Sequence, residues 1–360
     1  PITRAELINI LSNMVDTLVK ETTTVTKDVS GSLLISAADG ATLKGIRIGG
    51  DLILAPGVTK DVTLVDCVIQ GNIRNYGTGE VRFEAPQITP ESTATKPSEV
   101  YKPGATLDRT LEYGGKTVPI YRDRPLNVFS DVDFIWTDEE NENQRRLEYL
   151  GGEFRTRYGI DVSSFQGEID WDAVADDNID FAMVRVGFRG TGTGSLNTDK
   201  YYEQNIRGAM RAGLETGVYF FAQAVTVEEA IEEADYVISL LDGLDINGPV
   251  AYDWEMHDST YRVYGTSPEM ATACAVAFCE RIKDAGYTPM VYGGTYVTYM
   301  KYDQGALADY LSWYPEYKSE KSEKLCPTLV YHMDYWQFSS TRAVAGINGR
   351  VDMNIQFVRR

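Results

Sequence analysis

From residue 158 onward, strand-like and helix-like segments alternate, and this alternation limits the possible folds more than any other feature of the chain. The strand-like stretches are YGIDVSS (158–164), FAMVRVG (181–187), GVYFFAQ (217–223), PVAYDWE (249–255), PMVYGG (289–294), YLSWYPE (310–316), LVYHMDYWQF (329–338) and NGRVDMN (348–354). Between the early ones lie IDWDAVADDN, DKYYEQNIRGAMRAG, VEEAIEEADYVISLLDGL and PEMATACAVAFCERIKDAG, each with helical periodicity, the last three with glycine near the C-terminus. About eight strands, the first five joined by helices, predict an α/β fold: an irregular β/α barrel over 158–360 whose last strands follow with little helix between them. An open doubly wound sheet is the rival architecture, but no glycine-rich phosphate turn follows the first strand.

The preceding 157 residues follow other rules. Residues 1–21 carry an amphipathic helix pattern in which Leu7, Leu11, Met14 and Leu18 recur at spacings of 4, 3 and 4. That stripe suits either a short coiled coil, and hence a homo-oligomer, or a helix docked on its own domain. Over 22–85 the segments GSLLI, GDLIL and GNIRN recur 19 and 21 residues apart, with ATLKGIRIGG and VTLVDCVIQG between them. A repeat near twenty residues with two or three short strands each predicts a small β-solenoid-like, all-β region, because each coil buries its apolar side only by stacking on the next; a β-sandwich fragment is the alternative. Residues 86–104 hold four prolines among Ser, Thr and Lys and read as a linker. The stretch 105–157 reads as a connecting region that packs against whatever follows.

Composition enters where it excludes chemistry. Two histidines build neither a three-histidine zinc site nor an HExxH helix, and Cys67, Cys274, Cys279 and Cys326 are scattered outside any CxxC pattern. No metal or cofactor is expected, and Cys274 and Cys279 read as buried thiols. Acids outnumber bases 53 to 34, so no basic stripe offers itself to nucleic acid. Residues 1–157 carry net −5 and residues 158–360 net −14, and 18 of the 23 tyrosines lie in the second part. Carboxylates with aromatic rings suit a neutral polyhydroxylated ligand such as a glycan, or simply serve solubility. No run of eighteen apolar residues is present, so no membrane span is expected, and no leader follows Pro1.

In a parallel barrel, reactive groups sit at the C-terminal ends of the strands. PVAYDWE ends with Asp253 and Glu255, two residues apart, so both point to one face and Trp254 to the other. Two carboxylates side by side repel, which raises the pKa of one. A protonated and an ionised carboxyl together are what glycoside hydrolysis requires. Asp161 on the first strand and Asp352 on the last become neighbours when the barrel closes. His257 shares the parity of Glu255 and is a weaker candidate; His332 reads as structural.

YGIDVSSFQGEIDWDAV, FAMVRVGFRG, GVYFFAQA, the DWE strand, MVYGG, LSWYPEY, YWQF and VDMN together, in order over 158–357, resemble glycoside hydrolase family 25, the Chalaropsis-type lysozymes. The resemblance implies a muramidase that cuts the β-1,4 bond between N-acetylmuramic acid and N-acetylglucosamine in peptidoglycan strands with retention. It implies Glu255 as general acid and then base, and Asp253 as stabiliser of the charged intermediate, with either the substrate's 2-acetamido group as internal nucleophile or a covalent bond to Asp253. Asp161 and Asp352 would position substrate and tune the pair. Tyr219, Tyr292, Trp313 and Trp336 are expected to contact sugar rings. Phe220 stands where a histidine commonly follows the tyrosine in that family, and Gln223 is expected to supply the missing polar contact. Secretion, a Gram-positive cell surface, or a phage or injection particle would be the setting. Rival readings are a glycan-binding or structural part of a phage tail, and a glycosidase for another polysaccharide. Being acidic, the barrel gains no long-range attraction to an anionic wall, so targeting is expected from the N-terminal region or a partner assembly.

Overall fold

The computed structural model describes residues 15–65, 67–69, 72–84, 95–104, 106–137 and 144–360. The chain divides into two units, residues 1–93 and 94–360. Most of the helix expected over 1–21 lies outside the described residues, and its last part is not helical.

In the first unit the strands are β1 (Thr17–Val19), β2 (Thr24–Val25), β3 (Leu33–Ile35), β4 (Ala41–Lys44), β5 (Arg47–Ile48), β6 (Leu52–Leu54), β7 (Val62–Val65), β8 (Val68–Ile69), β9 (Ile73–Asn75) and β10 (Val81–Glu84). They form three parallel ladders, β1-β3-β6-β9, β2-β4-β7-β10 and β5-β8. Register follows the sequence repeat: Leu33 pairs with Leu52, which pairs with Ile73, and Leu43 pairs with Leu64. Apolar residues at alternate positions, Leu33, Ile35, Leu43, Leu52, Leu54 and Val62 among them, are fully buried. Acids at the corners secure the next repeat: Asp28, Asp51 and Asp61 accept from the backbone N–H groups of Arg47 (2.7 Å), Asn72 (2.8 Å) and Glu80 (3.0 Å). Gly40, at φ 76°, lies so close to the next repeat that a Cβ would stand 2.0 Å from the Asp61 carbonyl oxygen. Leu18 completes the heptad pattern, but Thr17 to Val19 pair in parallel with Leu33 to Ile35, and the β-branched residues and ladder prevail over the helical stripe.

The second unit opens with a single helical turn, α1 (Pro97–Val100), inside the stretch that composition marks as linker. Two hairpins follow, β11 (Leu107–Tyr113) with β12 (Lys116–Tyr121), and β13 (Phe134–Trp136) with β14 (Leu147–Tyr149). They share one core with the barrel, burying Ile120, Phe134 and Leu147. Between the hairpins, the Arg124 guanidinium is buried and donates to Gln304 Oε1 and to the carbonyls of Leu307 and Tyr310, while Asn127 Nδ2 donates to the carbonyls of Pro327 and Leu329.

The barrel strands are β15 (Phe154–Val162), β16 (Phe181–Arg189), β18 (Glu215–Ala222), β19 (Val250–Trp254), β20 (Pro289–Tyr292), β21 (Leu311–Pro315), β22 (Tyr335–Arg342) and β23 (Val351–Arg359), with the short β17 (Leu196–Thr198) added to β16. Pairing of β15 with both β16 and β23 closes eight strands into a barrel. Helices α2 (Trp171–Asp176), α3 (Tyr202–Arg211), α4 (Val227–Leu240), α5 (Pro268–Asp284) and α6 (Thr295–Met300) lie between strands. Sequence cues mark their starts: Thr226 and Ser267 cap α4 and α5 through their hydroxyls, and Pro268 takes the first turn of α5.

The last strands depart from expectation. The seventh runs from Tyr335 rather than 329, and the eighth, β23, is antiparallel to both neighbours. Only residues 343–350 separate β22 from β23, and a parallel crossover requires about a dozen residues or more. One consequence bears on the site: β23 begins at the rim where the parallel strands end, so Asp352 enters it from the start of its strand. Inside the barrel, Phe181, Met183, Ala251, Met290, Tyr292, Trp313 and Tyr335 form the interior core, with residues of opposite parity packed outward toward the helices.

Candidate active site

Period-two alternation determines what reaches the cavity. On β19, Ala251 lies in the interior core and Asp253 lines the cavity, whereas Tyr252 and Trp254 pack outward. A cavity of about 220 Å³ is lined by all four acids, Asp161, Asp253, Glu255 and Asp352, and by Arg185, Tyr219, Tyr292, Trp313, Tyr317 and Gln337. Asp161 and Asp352 are direct cross-strand partners on β15 and β23. An adjoining cavity of about 380 Å³ shares Glu255, Tyr292 and Tyr317 with the first and adds Met256, His257 and Tyr296. Glu255 thus stands where the two meet.

The acids are not equivalent. Burial pushes Asp161 up to about 6, even though Asn354 Nδ2 and Gln337 Nε2 each donate to its Oδ2 at 2.8 Å; the charge of Glu255 adds to the rise. Burial raises Asp352 to about 8, helped by the charges of Asp161 and Glu255. Asp253 is held well above the carboxylate range by burial first, then by the charges of Glu255 and Asp161, with Arg185 opposing. Burial and neighbouring negative charge thus favour the neutral form of Asp161, Asp253 and Asp352. Glu255 Oε2 meets His257 Nε2 at 2.7 Å, and that imidazole is 64% exposed.

Three of the expected sugar contacts lie at the cavity. Tyr292 and Trp313 pack edge to face at 4.8 Å, and Tyr219 and Trp313 at 5.8 Å. Trp313 Nε1 donates to Asn354 Oδ1 at 2.8 Å, so the indole is oriented by the same asparagine that holds Asp161. Trp336 and Gln223 are corrections. Trp336 is fully buried on the outer face of β22, edge on to Phe134, with Nε1 donating to the Glu316 carbonyl; Tyr335 takes the inward position beside it. Gln223 is fully buried too, and its Nε2 donates to the backbone carbonyl of Glu255 at 2.7 Å rather than opening to the cavity. Phe220 points outward against Tyr236, so a phenyl ring in place of a histidine leaves the cavity unchanged. His332 stacks on Phe154 at 5.0 Å, far from this chemistry, and Cys274 and Cys279 are buried free thiols.

Several lining residues were not singled out from the sequence. Arg185, two positions after Met183, is bound to Asp199 (2.8 Å) and Ser164 (3.2 Å) and lies 5.1 Å from the exposed Phe165 ring. Asn354 follows Asp352 by two, and Gln337 follows Tyr335 by two. Extending the parity already used for Asp253 and Glu255 along those strands finds all three. Phe165 and Tyr317 sit on connections, where no period marks them, and Tyr296 lies in the first turn of the short helix α6.

The glycosyl hydrolases family 25 profile matches residues 160–347. An autolytic lysozyme of Clostridium acetobutylicum is 25% identical over 197 residues, which cover 54% of this chain and 54% of that protein. Lysozyme M1 of Streptomyces globisporus is 27% identical over 201 residues, covering 54% of this chain and 66% of its own length. The chain therefore spans about half to two thirds of these relatives. Among solved structures, the bacterial lysozyme from Streptomyces coelicolor aligns with a TM-score of 0.45 and 26% identity, covering 55% of this chain and 90% of that one. The profile takes in over half of the chain and contains Asp161, Asp253 and Glu255, and the protein belongs to glycosyl hydrolases family 25.

Proposed function

We propose that the protein is an N-acetylmuramidase, a lysozyme that cleaves the β-1,4 bond between N-acetylmuramic acid and N-acetylglucosamine in peptidoglycan with retention at the anomeric carbon. The observation that carries this reading is the placement of Asp253 near the end of β19 and of Glu255 just past it at one cavity, with Glu255 at the junction of two. Glu255 gives its proton to the glycosidic oxygen and later takes one from water. In this reading the nucleophile is the substrate's own 2-acetamido oxygen, with Asp253 accepting from the acetamido N–H. Such a bond favours the Asp253 anion.

Tyr219, Tyr292 and Trp313 wall the sugar that carries the reacting carbon, and Tyr296 and Tyr317 flank the adjoining cavity for the leaving sugar. The ladders of residues 17–84 support a stacked-coil module, which we assign to targeting because the acidic barrel gains no long-range attraction to an anionic wall. Relatives named as an autolytic lysozyme support a setting at or outside the cell wall. Digestion of purified peptidoglycan, with identification of the new reducing ends, tests the proposal. N-acetylmuramic acid ends from wild type, absent with Glu255→Gln, are expected; N-acetylglucosamine ends or cut peptides would refute it.

A further inference from the structure

Glu255 lies one residue past the end of β19, where the backbone ladder no longer holds it. The last registered pair between β18 and β19 is Ala222 with Trp254. Beyond that pair the ladder is continued by side chains from both strands. Gln223 Nε2 donates to the Glu255 carbonyl at 2.7 Å, and Trp254 Nε1 donates to the Ala224 carbonyl at 3.1 Å.

Gln223 is itself fastened at both backbone polar atoms by charged groups. Its N–H donates to Glu233 Oε1 at 3.0 Å, and its carbonyl accepts from Arg262 Nη1 at 3.0 Å. Glu233 is wholly buried and bound to Arg189 at 2.7 Å; Arg262 grips Glu229 through two bonds of 2.7 and 3.0 Å. Glu229 and Glu233 are one turn apart on α4, so this helix anchors the end of β18, and Gln223 passes that anchorage to β19. A buried ionic network is a weak source of stability but a strong source of fixed geometry. Here the fixed point is the backbone of the residue whose carboxyl must meet a glycosidic oxygen.

We infer that Gln223 is a positioning residue for Glu255: its side-chain amide makes the rung that holds the acid over the cavity. The contact of the Glu255 carboxyl with the exposed His257 lies within the same segment and ties it to nothing else. With the Gln223 donor removed, the backbone after Trp254 loses its rung to β18. A displacement near 1 Å at a reacting group lowers turnover by about a hundredfold without changing how the rest of the sugar chain is bound.

The inference rests on the muramidase reading, and the test separates the two. Wild type and Glu255→Gln are assayed first on soluble peptidoglycan fragments; an inactive wild type counts against the muramidase reading. Given an active wild type, Gln223→Met keeps the length of the side chain and removes the amide, of which only the Nε2 donor is bonded, and Gln223→Glu puts an acceptor against the carbonyl. Thirtyfold to hundredfold lower kcat for the Met variant, a larger loss for the Glu variant, and KM within about threefold of wild type for both are expected. If Gln223→Met does not fold, Gln223→Asn, which keeps the amide but draws it back by one methylene, carries the same expectation. A kcat within threefold of wild type overturns the inference. So does a loss residing in KM, since Gln223 would then touch substrate.

Discussion

Asp352→Asn is expected to raise the stability of the protein above neutral pH while lowering its activity. In the folded state burial and the charges of Asp161 and Glu255 raise this carboxyl to about 8, from a starting value of 3.8. Between those values the folded chain holds a proton that the unfolded chain has released, so the unfolding free energy falls as pH rises. The contribution is whole below about pH 4, declines through the interval, and is gone above about pH 8. At 1.36 kcal/mol per pH unit the gap sets a ceiling of about 6 kcal/mol. Asp161 and Glu255 share in that cost, which leaves about 2–3 kcal/mol to Asp352 alone. The carboxyl accepts no hydrogen bond from the described residues, so asparagine forfeits none. For a unit of this size the gain corresponds to about 5–10 °C in Tm at pH 8 and to nothing near pH 4. Thermal melts of wild type and variant at pH 4.5, 6 and 8, following the transition of residues 94–360, measure it. Equal gains at every pH, or none at pH 8, would refute the electrostatic account.

Two further outcomes follow from contacts around the barrel. A fragment of residues 158–360 is expected not to fold, whereas residues 94–360 fold: truncation at 158 cuts β15 and removes Ile120, Phe134, Leu147 and Phe154 from the core. At about 1.5–3 kcal/mol each, their burial rivals the stability of a whole domain. Circular dichroism melts and limited proteolysis of the two fragments decide it, and a cooperative transition from 158–360 would contradict the shared core. His257→Ala removes one bond to Glu255 from an exposed ring and is expected to change kcat/KM by less than about fivefold, the scale of a solvent-screened pair; a hundredfold loss would place His257 in the chemistry.

The barrel was legible because alternation survives wherever the two faces of a strand meet different surroundings. Asp253 and Glu255 could be assigned to one face from spacing alone, and Asp161 and Asp352 followed from closure. Trp336 was misassigned because a strand covered on both sides is apolar on both faces, so hydropathy does not say which face looks inward. The polar Gln337, directed at Asp161, is the residue that marks the inner face of YWQF. In the first unit the repeat was visible because ladder register and sequence offset are the same number when strands stack in parallel. Thr17 to Val19 were hidden, because three residues fit a heptad or a strand equally well and only the distant partner at Leu33 to Ile35 decides. The hairpins over 107–149 left little trace, since β11 is mostly exposed and its contacts with the barrel are made by a few residues.

The antiparallel eighth strand has a bearing on when the cavity becomes complete. Asp161 and Asp352 face each other across the seam between β15 and β23, about 190 residues apart in the chain. Contacts this distant in sequence form late, because the entropy of closing so long a loop precedes any reward. A growing chain that has already threaded Asp253 and Glu255 out of the ribosome still carries them on an open sheet, with the seam unsealed. The four-acid cavity is therefore complete only after Val351–Arg359 has been made and has docked on β15, and a chain interrupted before that strand lacks both Asp352 and the seam.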